Sequence, residues 1–315
     1  DAMLFGIKGN EPLRPFLQLI YSSVKSKSSS LIIISEGTSP YSEQLKFLAD
    51  ALISLDVKRV LEYPARRIRI LKDRDYKIEH QTLYYTLGNG LRIFQPVDFN
   101  KYSEIIKLNY VKIPDHAEPS NIMKLGSTVL TEIDEEVSYV AARQYIEFTI
   151  LDYLLRGYNV NYLVSPEERD ERILKVVSLA GEKAKNFRII HPDASAAGYD
   201  AEKFTDQIWR NRIQNNAIDV INLESEEDFA VKDPVSFELF LKKIIEANTK
   251  NNVLAHAFGY ADLNATRIEK KYVKLLRKIT VVDDILFARS IKPPAPLMQL
   301  QIDAERGVME MTEMI

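Results

Sequence analysis

The chain has 315 residues, 46% hydrophobic and 28% charged, enough to bury a large core and a length that suits two domains of roughly 150 residues each. It has no cysteine, which excludes disulfides, thiolate metal sites and a cysteine nucleophile. A formal charge of -3 and a pI near 6.0 give no broad basic field for nucleic acid. No window approaches the roughly 18 apolar residues of a membrane span, and no basic-then-apolar leader opens the chain, so the expected setting is cytoplasmic.

In chain order, the spacing predicts a helix over Pro12 to Lys25, a strand over Ser30 to Ser35, a helix over Ser42 to Leu55 and a strand over Val57 to Tyr63. Short apolar runs follow near Leu91 to Phe94 and Tyr110 to Ile113. Gly126 to Leu130 reads as a strand leading to a long helix from about Glu135 to Leu155, closed by Gly157. Tyr158 to Pro166 reads as a connection, because it interrupts the periodicity and Pro166 sits where a helix can begin. A second round follows: a helix over Glu167 to Ala184, a strand over Phe187 to His191, a helix over Asp200 to Gln214 and strands over Ala217 to Leu223 and Asn252 to Phe258. A helix over Leu263 to Leu276, a strand over Ile279 to Val282 and a short helix over Leu297 to Glu305 complete it. Alternating elements of this kind predict an α/β fold with two doubly wound parallel-sheet domains in tandem, residues 1–160 and 161–315, with ligands beyond the carboxyl ends of the strands.

Gly37-Thr38-Ser39 stands between the first expected strand and a helix. Free N–H groups and two hydroxyls at a positive helix end form a cradle for a phosphate or carboxylate, and the plain alternative is a tight turn with an N-cap. Glu224 follows a strand and suits a base if burial raises its pKa, though it also opens an acidic run to Asp228. His191 ends a strand at the mouth of the second sheet. His80, His116, His191 and His256 show no metal-ligand spacing, so neither a metal nor a cofactor is expected. Asp283-Asp284 follows a strand but reads as two solvated carboxylates, and Tyr84, Tyr85 and Trp209 read as packing groups.

The run Ile34-Ser35-Glu36-Gly37-Thr38-Ser39, followed by Lys46 to Leu52, resembles the first strand, phosphate loop and helix of the sugar isomerase (SIS) family, in particular the paired flavodoxin-like SIS domains of glutamine:fructose-6-phosphate amidotransferases. Gln81-Thr82, with Thr86 nearby, is similar to that family's second phosphate loop, without its Gly and Glu. Thr131-Glu132-Ile133 and Val140-Ala141 resemble the segment that lies across the sugar, and Phe229 to Pro234 follows the family's His-Gly-Pro loop, as Lys232-Asp233-Pro234. The resemblance implies a sugar-phosphate ligand held by Gly37, Thr38, Ser39, Gln81, Thr82, Thr86 and Val140, with Glu224 or His191 moving protons, in a homodimer.

The departures are as informative. The glutaminase domain is missing, the family's catalytic Glu falls near Asn216 or Ala217, and its Schiff-base Lys has only Lys292 as a counterpart. The expected function is therefore a phosphosugar isomerase or an amino-sugar-phosphate deaminase, with a non-catalytic sugar-phosphate sensor as the alternative. A second alternative rests on Gly126 to Leu130, the long helix and Arg188-Ile189-Ile190-His191-Pro192, which resemble ATPase cores of the RecA and KaiC type with an inactive nucleotide site. No Gly-x-x-x-x-Gly-Lys-Ser/Thr occurs.

Overall fold

A computed structural model describes residues 13–27, 29–36, 42–88, 90–94, 96, 126–168, 171–303 and 308–314. The Gly37-Thr38-Ser39 cradle and the run at 110–113 lie outside them. The chain divides into two units, residues 1–56 with 68–82, and residues 57–67 with 83–315.

The first unit holds α1 (Leu13–Ser26), α2 (Ser42–Leu48) and parts of β1 (Ala51–Val60) and β2 (Tyr63–Asp73). Lys72 donates to the carbonyls of Lys46 and Phe47 at 3.2 and 3.1 Å, closing the end of α2. The expected strand over Ser30 to Ser35 is not one. Residues 31–36 carry no regular structure, and Ile32 and Ile34 are 86% and 87% exposed, because β-branched residues make a strand only where a ladder and a packed face receive them. The helix expected to Leu55 stops at Leu48. From Ala51 the exposure alternates along β1, the period-2 signature of a strand. β1 turns into β2 through Leu61 and Glu62, with φ of 46° and 64°, the left-handed pair of a two-residue hairpin without the glycine that normally marks one.

β3 (Thr82–Thr86) and β4 (Arg92–Phe94) complete a four-stranded sheet of order β1-β2-β3-β4. Within the second unit, Val60, Ala65, Tyr84 and Phe94 form a core cluster with Ile285, Phe287, Leu297 and Met314. Tyr84 meets Phe287 edge-on, with ring centroids 5.0 Å apart.

The rest of the second unit runs β5 (Thr128–Ile133), α3 (Tyr139–Leu155), β6 (Asn159–Leu163), α4 (Glu171–Ser178), a 3-10 helix (Gly181–Asn186), β7 (Phe187–Ile190), α5 (Ala201–Asn211) and β8 (Ala217–Asn222). It continues with α6 (Glu227–Lys232), α7 (Pro234–Asn251), β9 (Leu254–Tyr260), α8 (Asn264–Glu269), β10 (Leu275–Val282), β11 (Ile285–Lys292), β12 (Met298–Asp303) and β13 (Val308–Glu313). Nine strands form one sheet of order β13-β12-β11-β10-β5-β9-β8-β6-β7. β10 through β7 pair in parallel, and β10 to β13 form an antiparallel meander. Alternate residues of the strands feed two cores: Val129, Val160 and Val220 face α3 and α4, whereas Leu130, Leu163 and Ile221 face α5, α7 and α8.

The fold is thus α/β, but with a nine-stranded mixed sheet and a four-stranded sheet in place of two tandem parallel ones. Tyr158 to Pro166 is not a connection: residues 159–163 are β6, bonded on both sides, so residue 160 lies inside a central strand. Two expected helices are corrected as well. Residues 263–276 hold the short α8 and the start of β10, and the segment from 297 forms β12, because its apolar residues alternate as Leu300 pairs with Leu286 and Met311.

Candidate functional site

The connections diverge between β5 and β9. From β5 the chain passes through α3 towards β6, and from β9 it passes through α8 to β10 on the other side of β5. That is the topological switch point at which open α/β sheets bind ligands, outside the carboxyl ends of the strands. A recess lies there, lined among others by Tyr139 and Arg143 of α3, Tyr162 of β6, Glu168, Glu224 and Tyr260.

The loop that enters it from β5 reads Asp134-Glu135-Glu136-Val137-Ser138. Two of its backbone donors are committed: Asp134 N–H bonds the Ile279 carbonyl at 2.9 Å, and Val137 N–H bonds the Asp134 carbonyl at 3.0 Å. Ser138 is the N-cap of α3 and its hydroxyl accepts from Ala141 N–H at 3.3 Å. The Asp134 carboxylate accepts from the Thr280 hydroxyl at 2.8 Å. A P-loop cradle needs a glycine-permitted backbone and a lysine besides its N–H groups, and this loop has neither a glycine nor a lysine but three carboxylates.

The cations of the recess are also committed. Arg143 lies 3.2 Å from Glu147 and 3.3 Å from Glu168, and Arg172 lies 2.8 Å from Glu147. On the other face of β5, Glu132 is gripped by Lys270 and by Lys278 at 2.7 Å; burial raises its pKa, and the two ammonium groups outweigh that and hold it below the usual range. Partial burial and the neighbouring Glu168 push the Glu224 carboxyl up. Burial, then Glu224, pushes the Tyr260 hydroxyl up to about 12, while that hydroxyl donates to the Val137 carbonyl at 3.2 Å. Among the described residues no group of three or more His, Asp or Glu side chains could hold a metal.

Of the candidate site residues that are described, Glu224 lines the recess. His191 is exposed at the end of β7, its Nδ1 3.0 and 3.2 Å from the carbonyls of Ser165 and Val164. β6 separates the strands that precede these two residues, roughly 10 Å at the usual strand spacing. Val140 is half-buried in the first turn of α3. Gln81 is exposed and its carbonyl accepts from Ile70 N–H at 2.9 Å, Thr82 opens β3, and Thr86 is buried within β3. Lys232-Asp233-Pro234 is a helix junction, not a sugar loop: α6 ends at Lys232, and Asp233 caps α7 by accepting from Ser236 N–H at 3.0 Å, with Pro234 in the first turn. Sequence reading missed Tyr139, Arg143, Glu168 and Tyr260. The available signal was the acidic, glycine-free link between a strand and a long helix.

No protein-family model matches the chain, and no curated protein matches it. Among solved structures, one described as the crystal structure of the RadB recombinase is similar, with a TM-score of 0.43 and 12% identity, over 60% of this chain and 92% of that one. The resemblance to sugar isomerases is overturned: no family model or curated protein of that kind matches, and a nine-stranded mixed sheet is not a pair of parallel SIS domains. The isomerase, carbohydrate-binding and amino-sugar readings fall with it. So does the expected sugar-phosphate partner. Among the described residues no helix is long and apolar enough to cross a membrane.

Proposed function

We propose that the chain carries a RecA/KaiC-like core whose nucleotide site is inactive, and that it acts in the cytoplasm as a binding module rather than a nucleotide hydrolase. The strand, loop and long helix from Thr128 to Leu155 stand where a P-loop unit would stand, at the switch point of a largely parallel sheet. The observation that carries the reading is the loop Asp134 to Ser138, whose three carboxylates repel a polyphosphate and whose amides at Asp134 and Val137 are already bonded. Among the described residues, Lys270 and Lys278 beside β5 are held by Glu132.

The test is to heat the protein with and without millimolar MgATP and MgADP and to assay phosphate release. Neither nucleotide is expected to raise the melting temperature, as a ligand selective for the native state must, and no phosphate should be released. Saturable stabilisation by MgATP would overturn the proposal.

A further inference from the structure

Among the described residues, the recess at the switch point is lined by two carboxylates, Glu168 and Glu224, and one cation, Arg143. Arg143 and Arg172 are taken by Glu147 and Glu168, whereas Glu224, exposed at the mouth, has no cation partner among the described residues. Aromatic side chains flank it: Tyr139, Tyr162 and Tyr260 line the same recess, with Ile133 and Phe258 at its apolar floor. An ammonium group is attracted both to a carboxylate and to the face of an aromatic ring, and its methylenes suit apolar walls. A polyphosphate is repelled by the same groups. A divalent metal needs several free oxygen ligands, and Glu168 is already bonded to Arg143.

We propose that this recess binds an alkylammonium group, its charge set against Glu224 and its methylenes against Tyr139 and Tyr260. The group is supplied either by a free polyamine or by a lysine side chain of a partner, and the chemistry of recognition is common to both. The inference rests on the reading above, in which the switch point has given up polyphosphate.

The experiment is a titration of the full chain with n-butylammonium, spermidine and N-acetyl-lysine amide at constant ionic strength, read by thermal unfolding and calorimetry. A saturable rise in melting temperature of about 2 °C or more is expected, with affinity at least tenfold weaker in Glu224→Gln and unchanged in Glu246→Gln, an exposed carboxylate on α7. Spermidine binding far more tightly than N-acetyl-lysine amide identifies the free polyamine as the source, and the reverse order identifies the side chain. Absence of a saturable response to all three amines, or equal responses from Glu224→Gln and the parent protein, would overturn the inference. Silence of the amines together with silence of MgATP overturns this inference alone, whereas stabilisation by MgATP without the amines overturns both readings.

Discussion

Arg212 and Asp219 form an ion pair at 3.0 Å with side chains only 2% and 1% exposed, at the passage from α5 into β8. The pair is built into a wider network. Arg212 also donates to Asn248 of α7 at 2.9 Å, and Asn161 of β6 bonds Asp219 at 2.8 Å and both backbone groups of Ile213. Asp219→Ala leaves an arginine buried without its counter-charge, a loss of about 3–5 kcal/mol. Asp219→Asn keeps a hydrogen-bond acceptor and should lose less. Urea unfolding of the two variants checks the order, and equal stabilities would show that the whole loss comes from the missing charge and none from the hydrogen-bond acceptor.

Gly259 is required by close approach rather than by its backbone angles. A Cβ built there would lie 2.2 Å from the Thr266 hydroxyl and 2.9 Å from the Leu223 Cβ, closer than side-chain atoms pack, so β9 and α8 can meet only over a glycine. Gly259→Ala is expected to cost about 1–3 kcal/mol by overpacking. Adding Thr266→Ala should restore part of that loss, leaving the contact with Leu223. Denaturant midpoints of the single and double variants measure the recovery, and an unperturbed Gly259→Ala would contradict the close approach.

Two buried carboxyl groups make stability fall with rising pH. Burial raises the pKa of Glu226 to about 8 and that of Glu269 to about 7, and Glu269 Oε2 has no hydrogen-bond partner among the described residues. In the unfolded chain both ionise near 4.5, so between 4.5 and their folded values the native state binds more protons. Their contribution is whole below about pH 4.5 and lost by about pH 8. Glu226→Gln and Glu269→Gln should each flatten the decline between pH 5 and 8 and be the more stable forms at pH 8, by up to a few kcal/mol. Melting curves across that range show the slope, and an unchanged slope in both variants would place the titration elsewhere.

The parallel part of the sheet was legible in the sequence where a strand was mostly apolar, as at Thr128 to Ile133, Ala217 to Asn222 and Leu254 to Tyr260, because strands covered on both faces carry few polar residues, and those they carry here, Glu132, Asp219 and His256, are each bonded to a partner. Helix ends were legible where the capping chemistry was plain: Asp200 before α5, and Gly157 after α3 with a φ of 89°. The antiparallel strands were harder. β1 and β2 alternate isoleucine, leucine or valine with serine, aspartate or arginine and turn through Leu61-Glu62, so neither composition nor a glycine announced the hairpin. β6 was lost because Asn159, Asn161 and Tyr162 look polar, although Asn161 is buried and bonded to Asp219. The recess was only partly legible. Glu224 was visible as an acid after a strand, whereas Arg143 and Tyr139 are ordinary helix positions until the order of strands brings α3 over the switch point. Ile32 to Ile34 misled in the opposite direction, since strand-forming residue types do not make a strand without a neighbour.

His256 carries the opposite pH dependence and gives the most direct probe of the sheet's interior. It is fully buried in β9, stacked on Phe258 with centroids 4.1 Å apart, and its two ring nitrogens meet Thr131 Oγ1 at 2.8 Å and Tyr153 Oη at 2.6 Å. Hydroxyls can donate or accept, so both satisfy a neutral ring in either tautomer. Burial, then the nearby Arg277, holds the imidazole pKa well below 6.5. Below about pH 6.5 the unfolded chain therefore takes up a proton that the native state refuses, and stability falls as pH decreases. His256→Asn should weaken this acid-side loss relative to the parent. Tyr153→Phe should keep it while costing about 1–3 kcal/mol at all pH values, because a buried ring nitrogen is left without a partner. Urea unfolding at pH 5 and pH 7.5 separates the two effects. An imidazole that titrates near 6.5 by nitrogen NMR in the native protein would show that the ring is reached by water and that this packing of β9 against α3 is wrong.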